Sequence, residues 1–233
     1  MAGLAVGFAF GGPLGAIAGA LVPVAERLAK LSFRELRVSH EEAREERAKA
    51  AWLIAAKDVG DDAERLLEAA SADADRRHLA YSASEGAAEA RYPARIVALG
   101  RALASGLLAT DSASLDHEQQ VVDALAAIDR PHIVLLHDFV NVEGSTTEPV
   151  FVRRTLSWPN IQRFGSAYGS SLPRLLATLE REGLVHTQTV STLAEDDGTP
   201  TGHDRAGTFW QITDFGYEVL DRLWQAGVED VLR

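Results

Sequence analysis

The run SLPRLLATLEREG, Ser171 to Gly183, constrains this chain most. Leu172, Leu175, Leu176 and Leu179 recur at i, i+3, i+4 and i+7, the spacing of one buried helix face. Ser171 stands where a cap belongs, Pro173 falls in the first turn, and Gly183 follows as a C-terminal stop. The residues on either side extend the pattern. Ser157-Trp158-Pro159 opens a short helix to about Phe164, and small residues from Gly165 to Ser170 form a loop. Leu184 to Val190 reads as a strand, Leu193 to Ala206 as a polar loop, and Thr208 to Ile212 as a returning strand. Thr213 then caps a last helix that carries Val219, Leu220 and Leu223. The predicted order is helix, helix, strand, long loop, strand, helix.

The wording LLATLEREGLVHTQTV, followed by GTFWQITDFGYEVLDRL, resembles the recognition helix, wing and closing helix of MarR- and PadR-like winged-helix proteins. Leu115 to Val142 would supply the first helix, so the unit is taken as residues 115–233. The resemblance implies a module that contacts either DNA or protein. For DNA, the second helix would enter the major groove and the wing would follow the backbone. Away from its leucine face that helix offers Arg174, Thr178 and Arg181. Tyr168, Ser170 and Ser171 are candidates for phosphate, with Arg153, Arg154, Arg163, His203 and Arg205 as further cationic support. Charge argues the other way. Glu180 and Glu182 dilute the helix, Glu195-Asp196-Asp197 sits in the wing, and residues 155–228 hold nine carboxylates, five arginines and no lysine. Such a unit gains little attraction to a phosphate backbone.

Upstream, residues 26–114 read as an acidic helical body. A first helix is expected from about Ala25 to Val59; its stretch His40 to Lys49 is a charged, solvated face. Asp61 or Asp62 and then Asp73 are cap candidates, and Pro93 suits a first turn. Ile96, Leu99, Leu103 and Leu107 make an apolar stripe, with Gly100 and Gly106 placed for close helix contact. Leu115 to Ile128 turns Val121, Val122, Leu125 and Ile128 inward, and Pro131 opens a buried segment from His132 to Val140. The phrases AERLLEAAS and RIVALGRALASGLLATDSASLDHEQQVVDALAAIDRPHIVLL resemble actinobacterial proteins of unknown function. More distantly they are similar to the abortive-infection alpha family of phage defence. That likeness implies a helical, non-enzymatic protein and defines no functional residue.

At the amino terminus, Gly3, Gly7, Gly11, Gly15 and Gly19 recur at every fourth position, and no charge precedes Glu26. Residues 1–25 are long enough to cross a hydrocarbon core of about 30 Å as a helix. Gly11-Gly12-Pro13 interrupts that helix, and glycine costs roughly 1 kcal/mol per exposed helical position. Three readings stand: a membrane or self-association stripe of the small-xxx-small kind, a helical hairpin packed on the body, or a flexible start. For a spanning segment, Arg27, Lys30, Arg34 and Arg37 place the bulk of the protein on the cytoplasmic side.

The 233-residue chain carries a net charge of −11, with residues 1–60 near +1, 61–150 near −9 and the remainder near −3. The absence of cysteine removes disulfides, thiolate zinc sites and thiol nucleophiles. His117-Glu118 begins like a zinc-protease motif, but Val121 stands where the second histidine belongs. His132 and His137 are five apart and do not share a helix face. No phosphate loop and no G-x-S-x-G elbow occurs. The expectation is a mainly α protein: a helical bundle followed by a winged-helix unit with a two-stranded β-hairpin. It is expected to be no enzyme and to use no metal or cofactor. The expected partners are its own copies or another protein, with membrane contact through the amino terminus. Its expected place is the cytoplasm, at the inner face of the membrane if attached. The alternative is a DNA-binding regulator.

Overall fold

The computed structural model describes residues 39–60, 62–145, 148–190 and 207–228. Gly3, Gly7, Gly11, Gly15 and Gly19, the acidic loop at 195–197, His203 and Arg205 lie outside the described residues. Arg47–Arg233 form one compact unit. In the preceding unit the described residues, 39–46, are helical and mainly exposed.

The first helix, α1, covers 39–58. Ala51 and Ala55 are fully buried in the core. Two polar ties fix its compact part: Arg47 Nε donates to the Ala88 carbonyl at 2.7 Å, and Trp52 Nε1 to Ser84 Oγ at 3.0 Å. Helix α2 (Ala63–Ala72) starts at Asp62, whose carboxylate accepts from the Arg65 amide at 2.9 Å. Helix α3 (Ala74–Glu89) starts at Asp73 in the same manner. The amide of Arg76 and its guanidinium hold the Asp73 carboxyl below the ordinary aspartate range.

Helix α4 (Pro93–Leu107) and helix α5 (Ser112–Ala127) complete a bundle in which α3, α4 and α5 pack on one another. Leu99, Leu103 and Leu107 are buried, and so are Val121, Val122, Leu125 and Ile128. Each such side chain contributes roughly 1.5–3 kcal/mol of transfer free energy. The two glycines of α4 are close contacts. A Cβ at Gly100 would stand 2.6 Å from the Ala51 carbonyl oxygen of α1, and one at Gly106 would strike Leu79 of α3. Helix α5 begins at Ser112, three residues before the expected start, because the Asp111 carboxylate caps it at the Ser114 amide, 2.8 Å away.

Helix α6 (Arg130–Asp138) buries Ile133, Leu135 and Leu136. It stops short of the expected Val140. β-Branched Val140 instead opens β1 (Val140–Ser145), which pairs antiparallel with β2 (Glu148–Arg153). The Arg154 amide donates to the Phe139 carbonyl at 2.9 Å and closes the neck of this hairpin.

The carboxy-terminal order expected from sequence is found, with one strand added. Strand β3 (Thr155–Ser157) leads into α7 (Trp158–Phe164), a 3-10 segment (Gly165–Ser171) and α8 (Leu172–Arg181). Strands β4 (Val185–Val190) and β5 (Gly207–Ile212) follow, then α9 (Asp214–Gln225). The expected two-stranded hairpin is widened by β3, giving a three-stranded antiparallel sheet of order β3-β5-β4. Three residues of β3 are too short to show alternation in the sequence, and the strand forms because β5 pairs with it. The result is a mainly α fold with a small antiparallel β region.

Candidate functional site

The candidate surface centres on α8, whose sequence separates two faces. Leu172, Leu175, Leu176 and Leu179 are buried. Opposite them lies an outer ridge of Arg174, Ala177 and Arg181, all exposed, with half-buried Thr178 beside it. Gly183, at φ +69°, ends the helix. Its amide donates to the Glu180 carbonyl at 3.0 Å, and the Leu184 amide to the Leu179 carbonyl at 2.8 Å. This pair of bonds is the Schellman arrangement, which needs a left-handed residue at that position. The chain then leaves α8 directly into β4.

Of the predicted residues, Arg153, Arg163, Tyr168, Ser171, Arg174, Thr178 and Arg181 lie among the described ones. Arg174 is exposed, and its guanidinium makes no hydrogen bond or ion pair among the described residues. Arg163, on α7, is also exposed without such a partner among them. Arg181 donates through Nε to Glu182 Oε1 at 2.8 Å. Thr178 Oγ1 donates back to the Arg174 carbonyl at 3.2 Å, so its hydroxyl proton is used within the helix. Ser171 does not cap α8 through its side chain. Its backbone is already helical (φ −81°, ψ −17°) because the 3-10 segment runs straight into the helix. Tyr168 is half-buried, and burial together with the nearby Asp138 carboxyl raises its phenol above the usual value. Arg153 is drawn away from the ridge: it pairs with Asp214 at the start of α9 and lies over the Tyr217 ring at 5.9 Å.

The carboxylates of α8 are held by named partners. Glu180 Oε1 accepts from Trp210 Nε1 of β5 at 2.9 Å and from Thr187 Oγ1 of β4. Trp210 in turn lies against Trp158 of α7, with ring centroids 5.9 Å apart. Glu180 therefore ties the helix to the sheet on the flank of the ridge. Glu182 is tied to Arg181.

A second polar cluster joins the bundle to α9. Arg222 donates to Glu118 Oε2 at 2.8 Å and to Glu118 Oε1 at 2.9 Å, a forked pair on a carboxylate that is only 9% exposed. Its Nη2 also reaches Glu218 Oε1 at 2.7 Å, and His117 Nε2 approaches the same oxygen at 3.0 Å. Burial alone would lower the Arg222 guanidinium, but the two carboxylates outweigh it and raise it. For Glu218 burial pulls upward, and the bonds from His117 and Arg222 win, holding it below the usual range. His117 also meets Phe215 edge-on at 6.2 Å. The sequence carried a readable sign of this cluster: Glu118 occupies a core-face position between Leu115 and Val122.

Arg95 and Asp138 also belong to the interior. Arg95 is 2% exposed and donates to Asp129 Oδ1 at 3.0 Å and to the Ala126 carbonyl at 2.7 Å, closing the end of α5. Burial lowers its guanidinium, against the opposing pull of Asp129. At the end of α6, His137 stacks on Trp224 of α9 at 5.9 Å, and burial lowers its imidazole. Burial pushes the neighbouring Asp138 carboxyl up to about 6, against the pull of Arg154.

Among the described residues no group of three or more His, Asp or Glu side chains is arranged to hold a metal ion. No described helix is long and apolar enough to cross a membrane. Comparison with protein families, with characterised proteins and with solved structures finds no match.

Proposed function

We propose that this chain is a non-enzymatic interaction protein. Its carboxy-terminal unit is read as a winged helix used for structural and protein contacts, and its glycine-patterned amino terminus as the element of self-association or membrane attachment. The observation that carries the reading is the charge around α8. The ridge has two arginines, one of them paired with Glu182, in a unit of nine carboxylates and five arginines. Proteins held on duplex DNA typically neutralise about 6–10 phosphates. Two ridge cations in an acidic setting fall well short of that. The α9 helix supports the same reading, because Glu118 and Arg222 bind it to the bundle and make the unit part of a larger body.

The test is an anisotropy titration of the full chain against a labelled duplex of about 20 base pairs at physiological salt. The expected outcome is binding no tighter than about 10⁻⁴ M, the weak end of non-specific affinity. Tighter binding to one sequence, lost in Arg174→Ala and Arg181→Ala, would establish the DNA-binding regulator instead.

A further inference from the structure

We infer that the outer edge of β4 takes an extended segment of a protein partner as an added strand, and that Glu180 selects a lysine or arginine on that segment. This inference rests on the reading of the unit as a protein-contact module and names the mode and chemistry of the contact. Strand β4 is one edge of the three-stranded sheet, whose order is β3-β5-β4. The opposite edge, β3, has three residues. Strand β4 has six, paired with β5 without a bulge from Val185↔Ile212 to Val190↔Gly207. The Thr213 amide donates to the Leu184 carbonyl at 3.0 Å. By the alternation of an antiparallel ladder, His186 and Gln188 then direct their backbone groups to β5, and Val185, Thr187 and Thr189 direct theirs to the outer edge. Among the described residues no strand pairs with that edge, and Thr187, Gln188 and Thr189 are exposed. Proteins guard a long free edge with lysine, proline or a bulge, and the run VHTQTV has none of these.

A carboxylate beside the edge selects the occupant. Glu180 is exposed, yet Trp210 Nε1 and Thr187 Oγ1 both donate to its Oε1 and fix it against the edge strand. Its Oε2 accepts no hydrogen bond among the described residues. Arg181, the next residue of α8, is turned to Glu182 instead, and β4 itself has no Asp, Glu, Lys or Arg. A strand added to β4 lies roughly 4.8 Å away. Its residue opposite Thr187 has a Cβ about 4.5–5.5 Å from that of Thr187, on the same face, so a lysine or arginine there reaches Glu180. The net charge of −11 draws a basic segment and repels a second copy of this chain. Antiparallel pairing of two β4 strands would also bring a second Glu180 to the same face.

The experiment uses the full chain and four labelled probes. The first is a peptide of about eight residues, alternating threonine and valine with one central lysine. The second has glutamine for that lysine, and the third carries N-methyl groups on its amides, which removes the donors that strand addition needs. The fourth is a duplex of about 20 base pairs. The prediction is that the lysine peptide binds and the N-methyl copy does not. The glutamine copy and the Glu180→Gln chain should each weaken binding about tenfold, with little further loss when combined. The substituted amide oxygen still accepts from Trp210 and Thr187, so the fold is kept. Thr189→Pro should abolish binding, because it removes an amide directed outward and none of the β5 ladder. Unchanged circular dichroism would show that both variants fold; if Thr189→Pro does not, the N-methyl peptide carries the same test. Equal binding of the N-methyl copy, equal binding of the lysine and glutamine peptides, or equal binding by the wild type and Glu180→Gln would overturn the inference. A dimer of the full chain that is lost in Thr189→Pro would overturn it in favour of a second copy on this edge. Failure of every peptide to bind would also overturn it, while leaving the protein-contact reading in place on another surface. Sequence-specific duplex binding that depends on Arg174 would overturn both.

Discussion

Asp138 and His137 are neighbours whose titrations oppose each other. Asp138 has a folded pKa raised to about 6 by burial, above the ordinary 3.8, so the folded protein holds its proton more tightly than the unfolded chain does. Its ionisation therefore costs stability as pH rises from about 4 to 6, and the cost is complete above 6. His137 is lowered by burial, so the folded protein resists protonating it, and stability is lost as pH falls below about 6.5. Asp138→Asn should therefore raise stability at pH 7.5, by on the order of 1 kcal/mol after allowance for solvent screening, with a higher Tm there and an unchanged one near pH 4. Thermal melts across pH 4–8 check this; a gain that persists at pH 4 would contradict it. Glu118 and Arg222 behave differently, because each neutralises the other in a largely buried place. Replacing Arg222 by Met should cost about 3 kcal/mol by leaving the carboxylate without its fork. The double replacement with Glu118→Gln should recover part of that, as urea melts of a double-mutant cycle would show.

Among the elements, glycines mark where α4 and α8 are constrained. Gly100→Ala gains up to about 1 kcal/mol in helix propensity, but its Cβ would meet a backbone carbonyl that cannot move aside. The expected net result is a loss of about 1–3 kcal/mol, measured by chemical denaturation. Gly183→Ala should cost about 1–2 kcal/mol for a different reason, the left-handed backbone at φ +69°. Both positions were legible in the sequence, as were the leucine face of α8, the Thr213 cap and the α4 stripe. Each of these is a local pattern, decided within a few residues of chain. The parts that were not legible depend on distant partners. Strand β3 exists because β5 is there to pair with it, and the β1–β2 hairpin takes residues that follow a helix without a glycine or proline stop. Ser171 misled for a related reason: the 3-10 segment gave its backbone a helical conformation before its hydroxyl could cap anything. The engagement of Glu180 and Arg153 likewise depends on β4, β5 and α9.

At the scale of the whole molecule, residues 47–233 form one compact unit. The proposed function gives association to two parts of the chain, the carboxy-terminal unit and the glycine-patterned amino terminus. The second is read from sequence alone, from five glycines in fourfold register ahead of the first charge. Close helix approach is the physical use of such a stripe. The account's central claim is that this protein works by association. The most direct test compares the full chain with one beginning at Glu26, by light scattering at high concentration and by flotation with liposomes. The account predicts that the full chain forms an assembly of more than one copy or floats with the lipid, and that the shortened chain does neither. If both chains have monomer mass and neither floats, the glycine stretch takes no part in association and the central claim is contradicted.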